Sequence, residues 1–278
     1  MKISCLVPTR GRVFGMTEFA ETIFNTANNC NDVEIIFYID NDDLPSKECA
    51  DKLKEKYNIK YLFENRVPLS KAINDCHKLS EGDIFFCGSD DIIMLTKGWD
   101  NIIIDAFNKV EDKICLIYGL DGFHRDKLVA THPFLHRRWL EVLGYVTPQY
   151  FGTGNNKQTW CNNQFSVVTD KWINAITEKI QRRFFVPVFH QHVSHRHNKT
   201  QEFTKRKHDK TTHDLSLLYH DKENNPKRLY DSLGQERKND INKLKDAIHK
   251  FQLYKLLHFA EKTKKEYPIE VQQKYFNK

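Results

Sequence analysis

Between residues 2 and 120, short apolar runs alternate with segments of helical spacing, and this alternation restricts the fold more than any other feature of the chain. Lys2–Pro8, Val33–Asp40, Lys60–Phe63, Asp83–Cys87 and Lys113–Tyr118 read as strands, and Thr17–Asn28, Ser46–Tyr57, Leu69–Leu79 and Gly98–Val110 as helices. Strand, helix and strand in succession form the crossover unit of a parallel sheet. The pattern therefore predicts an α/β fold with a mostly parallel sheet and helices on both faces. Open sheets of this kind bind ligands outside the carboxyl ends of their strands. The run Gly82-Asp83-Ile84-Phe85-Phe86-Cys87-Gly88-Ser89-Asp90-Asp91 delivers paired carboxylates to that edge, where a divalent cation and a phosphorylated ligand would meet.

Beyond residue 120 the pattern is less regular, with a short helix near Arg137–Leu143, another near Asp170–Gln181 and a strand at Phe184–His190. Residues 196–228 hold few apolar side chains and read as a mobile loop or lid. Ile241, Leu244, Ile248, Phe251 and Tyr254 recur at three- and four-residue spacing, which predicts a C-terminal amphipathic helix. The chain thus divides into a ligand-binding half (1–120), a second half carrying the loop (121–230) and a helical extension (231–278).

A length of 278 residues suits one large domain, or one domain with an appendage, around a substantial core. A content of 40% hydrophobic and 12% aromatic residues argues against disorder. No run approaches the roughly 18 apolar residues of a membrane span. The N-terminus enters Ile3–Val7 directly rather than through a signal peptide, so a cytoplasmic protein without a membrane partner is expected. Nothing indicates a protein partner. Seven cysteines without CxxC spacing read as small buried hydrophobes in a reducing compartment. The net charge of +6 hides an asymmetry: residues 1–120 hold 14 Lys and Arg against 20 Asp and Glu, and residues 121–278 hold 29 against 17. The basic half suits a polyanionic partner, or is simply a solvated basic surface.

Val7-Pro8-Thr9-Arg10-Gly11-Arg12 makes a turn straight after the first strand and sets two guanidiniums at the sheet edge, suited to phosphate or base recognition. The second strand ends in Asp40-Asn41-Asp42-Asp43. Asp40 is placed to accept hydrogen bonds from a pyrimidine imide or a ribose, and the rival reading of this turn is Asx-turn chemistry.

In this order, Pro8-Thr9-Arg10, Asp40-Asn41-Asp42-Asp43, Ser70-Lys71-Ala72-Ile73-Asn74, Gly82-Asp83 and Gly88-Ser89-Asp90-Asp91 resemble the nucleotide-binding half of family 2 type glycosyltransferases of the GT-A fold. The resemblance covers residues 2–120. It implies a nucleotide-sugar donor, a UDP-sugar by preference, contacted by Pro8, Thr9, Arg10, Arg12, Asp40, Lys71, Asn74 and Ser89. It also implies Mn²⁺ or Mg²⁺ on a DxD motif. Gly88 stands where that motif has its first acid, leaving Asp90 as the preferred ligand and Asp91 in reserve.

A histidine from the second half often completes such a site. In His190-Gln191-His192-Val193-Ser194-His195-Arg196-His197, His190 and His192 share one face of a strand. The competing readings are a zinc site, and surface histidines with Arg196 on a phosphate. Inverting members place a catalytic acid at the start of a second-half helix, but Thr159-Trp160-Cys161-Asn162-Asn163-Gln164 holds none. Asp121 is the preferred candidate, with Glu141 behind it, although Asp121 reads equally as a turn residue before Gly122. His132, Arg137, Arg138 and Trp160 lie among aromatics and cations that suit an extruded base beside phosphates, or a core with a basic rim.

The short chain, the truncated DxD and the basic second half resemble small bacteriophage glycosyltransferases, including those that act on hydroxymethylcytosine DNA. The expected function is accordingly sugar transfer to a hydroxymethylated pyrimidine in DNA, in the host cytoplasm. The alternatives are transfer to a cell-surface saccharide, and a catalytically degenerate DNA-binding protein on the same fold.

Overall fold

The computed structural model describes residues 1–122, 129–148, 166–193 and 230–266. In chain order the elements are β1 (Ile3–Thr9), α1 (Val13–Thr26), β2 (Val33–Asp40), α2 (Leu44–Leu53), β3 (Ile59–Glu64), α3 (Leu69–Lys78), β4 (Ile84–Cys87), β5 (Ile92–Met94), α4 (Trp99–Asn108), β6 (Leu116–Leu120), β7 (Phe134–His136), α5 (Arg137–Leu143), α6 (Ser166–Lys179), β8 (Arg183–His192) and α7 (Gly234–Glu266). The strands form one sheet in the order β3-β2-β1-β4-β7-β6-β8-β5. β1 to β4 are mutually parallel, β6 and β8 are parallel, and the short strands β5 and β7 run antiparallel to their neighbours.

Strand β2 shows why the sheet must be covered on both faces: all eight of its residues are buried. Val33, Ile35, Phe37 and Ile39 point into a core shared with α1, α2 and α4. Ile36 and Tyr38 point into a second core shared with α3, α5, α6 and α7. A central parallel strand is apolar on both sides for this reason.

The α/β alternation is as expected, with two additions. β5 and β7 are three residues each and were not anticipated, because so short a strand exists only through the neighbours that accept its hydrogen bonds. Helix α2 begins at Leu44 rather than Ser46, since Asp43 caps it by accepting from Ser46 N at 3.3 Å, with Pro45 in the first turn.

The C-terminal helix is tied into the second core. Leu244 is fully buried, and Ile241, Ala247 and Ile248 pack beside it. Asp240, also fully buried, accepts from Tyr145 Oη and, at 3.1 Å, from Trp172 Nε1. The apolar stripe stops short of its expected end, because Tyr254 is exposed along with Leu253 and Leu256. Among the described residues Cys5, Cys49, Cys76, Cys87 and Cys115 are buried free thiols and Cys30 is exposed. The expected loop at 196–228 lies outside the described residues. Among the described residues no helix is long and apolar enough to cross a membrane.

Candidate active site

Because β1, β2 and β4 are parallel and in register (Val7 beside Phe37, Leu6 beside Cys87), their carboxyl ends open onto one edge. Thr9 ends β1, Asp40 ends β2, and Gly88 to Asp91 leave β4. A Cβ on Gly88 would lie 3.3 Å from Val7 and 3.4 Å from Phe19, so the β4 exit is closely packed.

The loop after β1 sends its two arginines in opposite directions. Gly11 adopts φ +63°, a conformation open to glycine at little cost, and its N–H donates to Asp43 Oδ2 at 2.6 Å. On one side Arg10 donates to Asp40 Oδ2 at 2.8 Å and to Asp42 Oδ2 at 2.7 Å, with Arg66 Nε 3.8 Å from Asp40. On the other, Arg12 Nη1 lies 2.9 Å from Asp90 Oδ1 and 3.3 Å from Asp91 Oδ2. Thr9 Oγ1 donates to the other Asp90 oxygen at 2.6 Å.

Burial sets the charge balance of these carboxylates. It pushes the Asp40 pKa up despite Arg10 and Arg66. Burial also pushes Asp90 up against the pull of Arg12. For Asp91 burial is outweighed by His192 and Arg12, which hold the carboxyl below its usual range. Ser89, just before this pair, is half-buried, its carbonyl accepting from Ile92 N at 3.3 Å.

The short strand β5 carries the edge across to the second half. Its pairing sets Ile92 opposite His192 and Met94 opposite His190, Val193 N donates to Asp91 O at 2.8 Å, and His192 N donates to Asp121 O at 2.7 Å. His192 Nε2 is consequently 3.4 Å from Asp91 Oδ2. Burial opposes a charge on this imidazole, but Asp91, Asp121 and Asp170 outweigh it and raise the pKa.

His132, just before β7, joins the group with its ring 5.0 Å from that of His192 and 5.9 Å from that of His190. Burial, reinforced by His192, pushes His132 down to about 3, and burial pushes His190 down to about 4, so both are neutral imidazoles. His190 is buried beneath Phe86, and its Nδ1 would lie 3.2 Å from a Cβ on Gly119, so it is no surface histidine. His132 was expected at the acceptor; it stands beside the metal candidates instead.

The expected base at Asp121 is buried, with Oδ2 accepting from Thr131 Oγ1 at 2.9 Å. A second acid was missed. Asp170, early in α6, is half-buried within electrostatic range of Cys87 and His192, and burial raises its pKa above the ordinary aspartate value. The run Ser166-Val167-Val168-Thr169-Asp170 at a helix start is its signal in the sequence.

Several other expected residues sit elsewhere. β7 runs antiparallel to β4, with Phe134 opposite Phe86 and His136 opposite Ile84, so Arg137 and the helix α5 that it begins emerge at the amino edge, away from the site. Arg137 there donates to Gly82 O at 3.1 and 2.6 Å and lies over the Phe85 ring, while exposed Arg138 pairs with Glu141 at 2.6 Å. Neither an acceptor role for the arginines nor a base at Glu141 fits that position. Asn74 holds the turn at 146–147, accepting from Val146 N and Thr147 N at 2.9 and 3.1 Å and donating to Thr147 O at 2.8 Å. Its amide is thus occupied rather than presented to a nucleotide. Lys71 pairs with Asp75 at 2.5 Å on an exposed helix face. Pro8 lies in β1 beside Tyr38. Trp160 and Arg196 lie outside the described residues.

The resemblance of the sequence motifs implies a divalent cation at the aspartate pair, and the donors suit one. Asp91 Oδ1 is buried with no hydrogen-bond partner, and a hard cation takes oxygen ligands. Among the described residues no three His, Cys, Asp or Glu side chains form a ready-made ligand set, so the chain would supply only part of the coordination shell.

No family model and no curated protein matches this sequence. Among solved structures the fold is similar to that of Staphylococcus aureus TarS 1–349 in complex with UDP, at 15% identity and a TM-score of 0.51, covering 68% of this chain and 60% of that one. The same protein in complex with UDP-GlcNAc aligns at 13% identity and TM-score 0.52 over 80% of this chain and 68% of that one. The mannosyltransferase PcManGT from Pyrobaculum calidifontis, in complex with GDP-Man and Mn²⁺, aligns at 14% identity and TM-score 0.53 over 70% of this chain and 58% of that one. The chain spans about 60% of the length of the TarS fragment in its complex with UDP. At these identities the likeness establishes the architecture, and that architecture is the GT-A fold of glycosyltransferases.

Proposed function

We propose that this protein is a nucleotide-sugar-dependent glycosyltransferase that moves a sugar from a UDP-sugar to the hydroxyl of a hydroxymethylated pyrimidine in DNA. The observation that carries the transferase reading is the gathering of Thr9, Arg10, Arg12, Asp40, Asp90 and Asp91 at the carboxyl edge of a GT-A sheet. Asp40, with Arg10 and Arg66 beside it, presents an acceptor and donors to a base or ribose. Asp90 and Asp91, with His192 beside them, would hold Mn²⁺ or Mg²⁺, which offsets charge on the leaving diphosphate. Asp170 takes the proton of the acceptor hydroxyl as its oxygen bonds the anomeric carbon and the bond to the diphosphate breaks. Asp170 lies within electrostatic range of His192 and Cys87, on the side of the cation donors, and a positioned carboxylate can take a proton as general base. Asp121, buried and bonded to Thr131, orients His192 through its main-chain carbonyl.

The DNA acceptor rests on the basic second half, with 29 Lys and Arg against 17 Asp and Glu, which suits a phosphate backbone. The test is incubation with Mn²⁺ and a panel of nucleotide sugars, with hydroxymethylcytosine DNA, unmodified DNA and a saccharide acceptor in parallel, and mass analysis of digested nucleosides. A sugar increment confined to hydroxymethylated DNA supports the reading. Transfer to the saccharide alone moves the acceptor, and duplex binding without transfer or nucleoside diphosphate release leaves a binding protein.

A further inference from the structure

We propose that Arg12 is a latch that couples cation binding to diphosphate binding. Its guanidinium holds Asp90 and Asp91 until a divalent cation takes them, and is thereby released onto the incoming diphosphate. This inference rests on the transferase reading above.

The argument begins with two adjacent carboxylates, Asp90 only 3% exposed and Asp91 half-buried, whose mutual repulsion must be offset. One nitrogen of Arg12 does this for both, at 2.9 and 3.3 Å. A cation using those oxygens cannot share them with the guanidinium. A divalent cation brings two positive charges where the guanidinium brings one, which favours the exchange although His192 also stands 3.4 Å from Asp91, and Asp91 Oδ1 is already buried without a partner.

The backbone of Arg12 does not have to move, because it is the N-cap of α1, with its carbonyl accepting from Met16 N at 2.9 Å. Only the side chain turns, at a helix N-terminus where an anion is favoured and where Arg suits a phosphate. Arg10 differs: it binds Asp40 and Asp42, away from the cation donors. Since each ligand favours the same position of Arg12, the coupling is reciprocal: the cation tightens nucleotide binding and the nucleotide tightens cation binding.

The experiment measures Mn²⁺ binding by the electron spin resonance of free Mn²⁺, with and without UDP, and UDP binding by calorimetry, on the full chain. Arg12→Gln is expected to bind Mn²⁺ alone about 10-fold more tightly than the wild type and to bind UDP in Mn²⁺ about 10-fold more weakly, so the mutual enhancement shrinks. Arg12→Lys, which retains one cationic nitrogen, is expected to keep Mn²⁺ affinity near the wild-type value. It also serves if the Gln variant fails to fold, since it should still weaken UDP binding. Wild type that binds Mn²⁺ and UDP, with an Arg12→Gln variant that binds Mn²⁺ no more tightly, overturns the latch and leaves the transferase reading intact. If Arg12→Lys alone folds, unchanged UDP binding overturns the latch in the same way. Wild type that binds neither ligand overturns the reading and the latch with it.

Discussion

The two edges of the same parallel sheet use the same kinds of residue to opposite ends. At the amino edge, fully buried Glu34 accepts from Ser4 Oγ and Glu81 N, both at 2.6 Å, and stands 3.0 Å from Lys60 and 3.4 Å from Lys2. Ser4 Oγ accepts in turn from Gly82 N at 2.9 Å, and Arg137 closes over Gly82 O. Glu34 Oε2 accepts no hydrogen bond, but both lysines stand beside it and offset its charge. At the carboxyl edge two acids sit side by side on one bridging guanidinium, and Asp91 Oδ1, His132 Nε2 and His190 Nδ1 are buried without hydrogen-bond partners. A buried carboxylate flanked by two ammonium groups stabilises, whereas adjacent acids sharing one guanidinium carry a desolvation cost that a ligand relieves. The difference separates the edge that holds the sheet together from the edge available for chemistry.

Removing a charge at each edge should therefore have opposite consequences. Asp91→Asn is expected to lower kcat/KM for sugar transfer by about 10³-fold, roughly 4 kcal/mol of transition-state stabilisation. Its urea midpoint should stay at or above that of the wild type, because repulsion with Asp90 is relieved. A variant that unfolds instead would make this edge structural too. Glu34→Gln should do the reverse, losing about 3 kcal/mol in urea denaturation while UDP affinity of the folded protein is unchanged.

A smaller effect is expected of Arg137→Ala, about 1–2 kcal/mol of stability from its bonds to Gly82 O, with kcat unaltered. A selective loss of transfer would return Arg137 to the acceptor site. The smallest concerns pH. Glu81, held at about 2 by Lys2 and Lys60, and Glu34, lowered by Ser4, Glu81 N and Lys60 against its burial, contribute stability that is fully present above pH 4.5. That contribution is lost as pH falls towards about 2. Asp40, raised by burial, works in the other sense. Glu81→Gln should flatten the acid limb of the stability curve, and an unchanged limb would show that these ion pairs are screened.

Much of this was legible in the sequence. Apolar runs such as Val33–Ile39 are long enough to declare buried strands, and their order determined where Thr9, Asp40 and Asp90 would emerge. Periodicity is a local property, so it is written in neighbouring residues. The amphipathic spacing of Ile241, Leu244 and Ile248 likewise marked the helix that fills the second core.

What the sequence by itself determined is therefore the α/β alternation, the chemistry of the carboxyl edge and the resemblance in its motifs. Only the tertiary structure decided which residues share that edge. The register of β7 against β4 brings His132 to the site and carries Arg137, Arg138 and Glu141 to the opposite end. The pairing of three-residue β5 with β8 sets His192 against Asp91, and the fold of the second half brings Asp170 within range of both His192 and Cys87. The reason is that strand register and direction follow from contacts between residues distant in the chain, where a one-residue slip would turn every side chain to the other face.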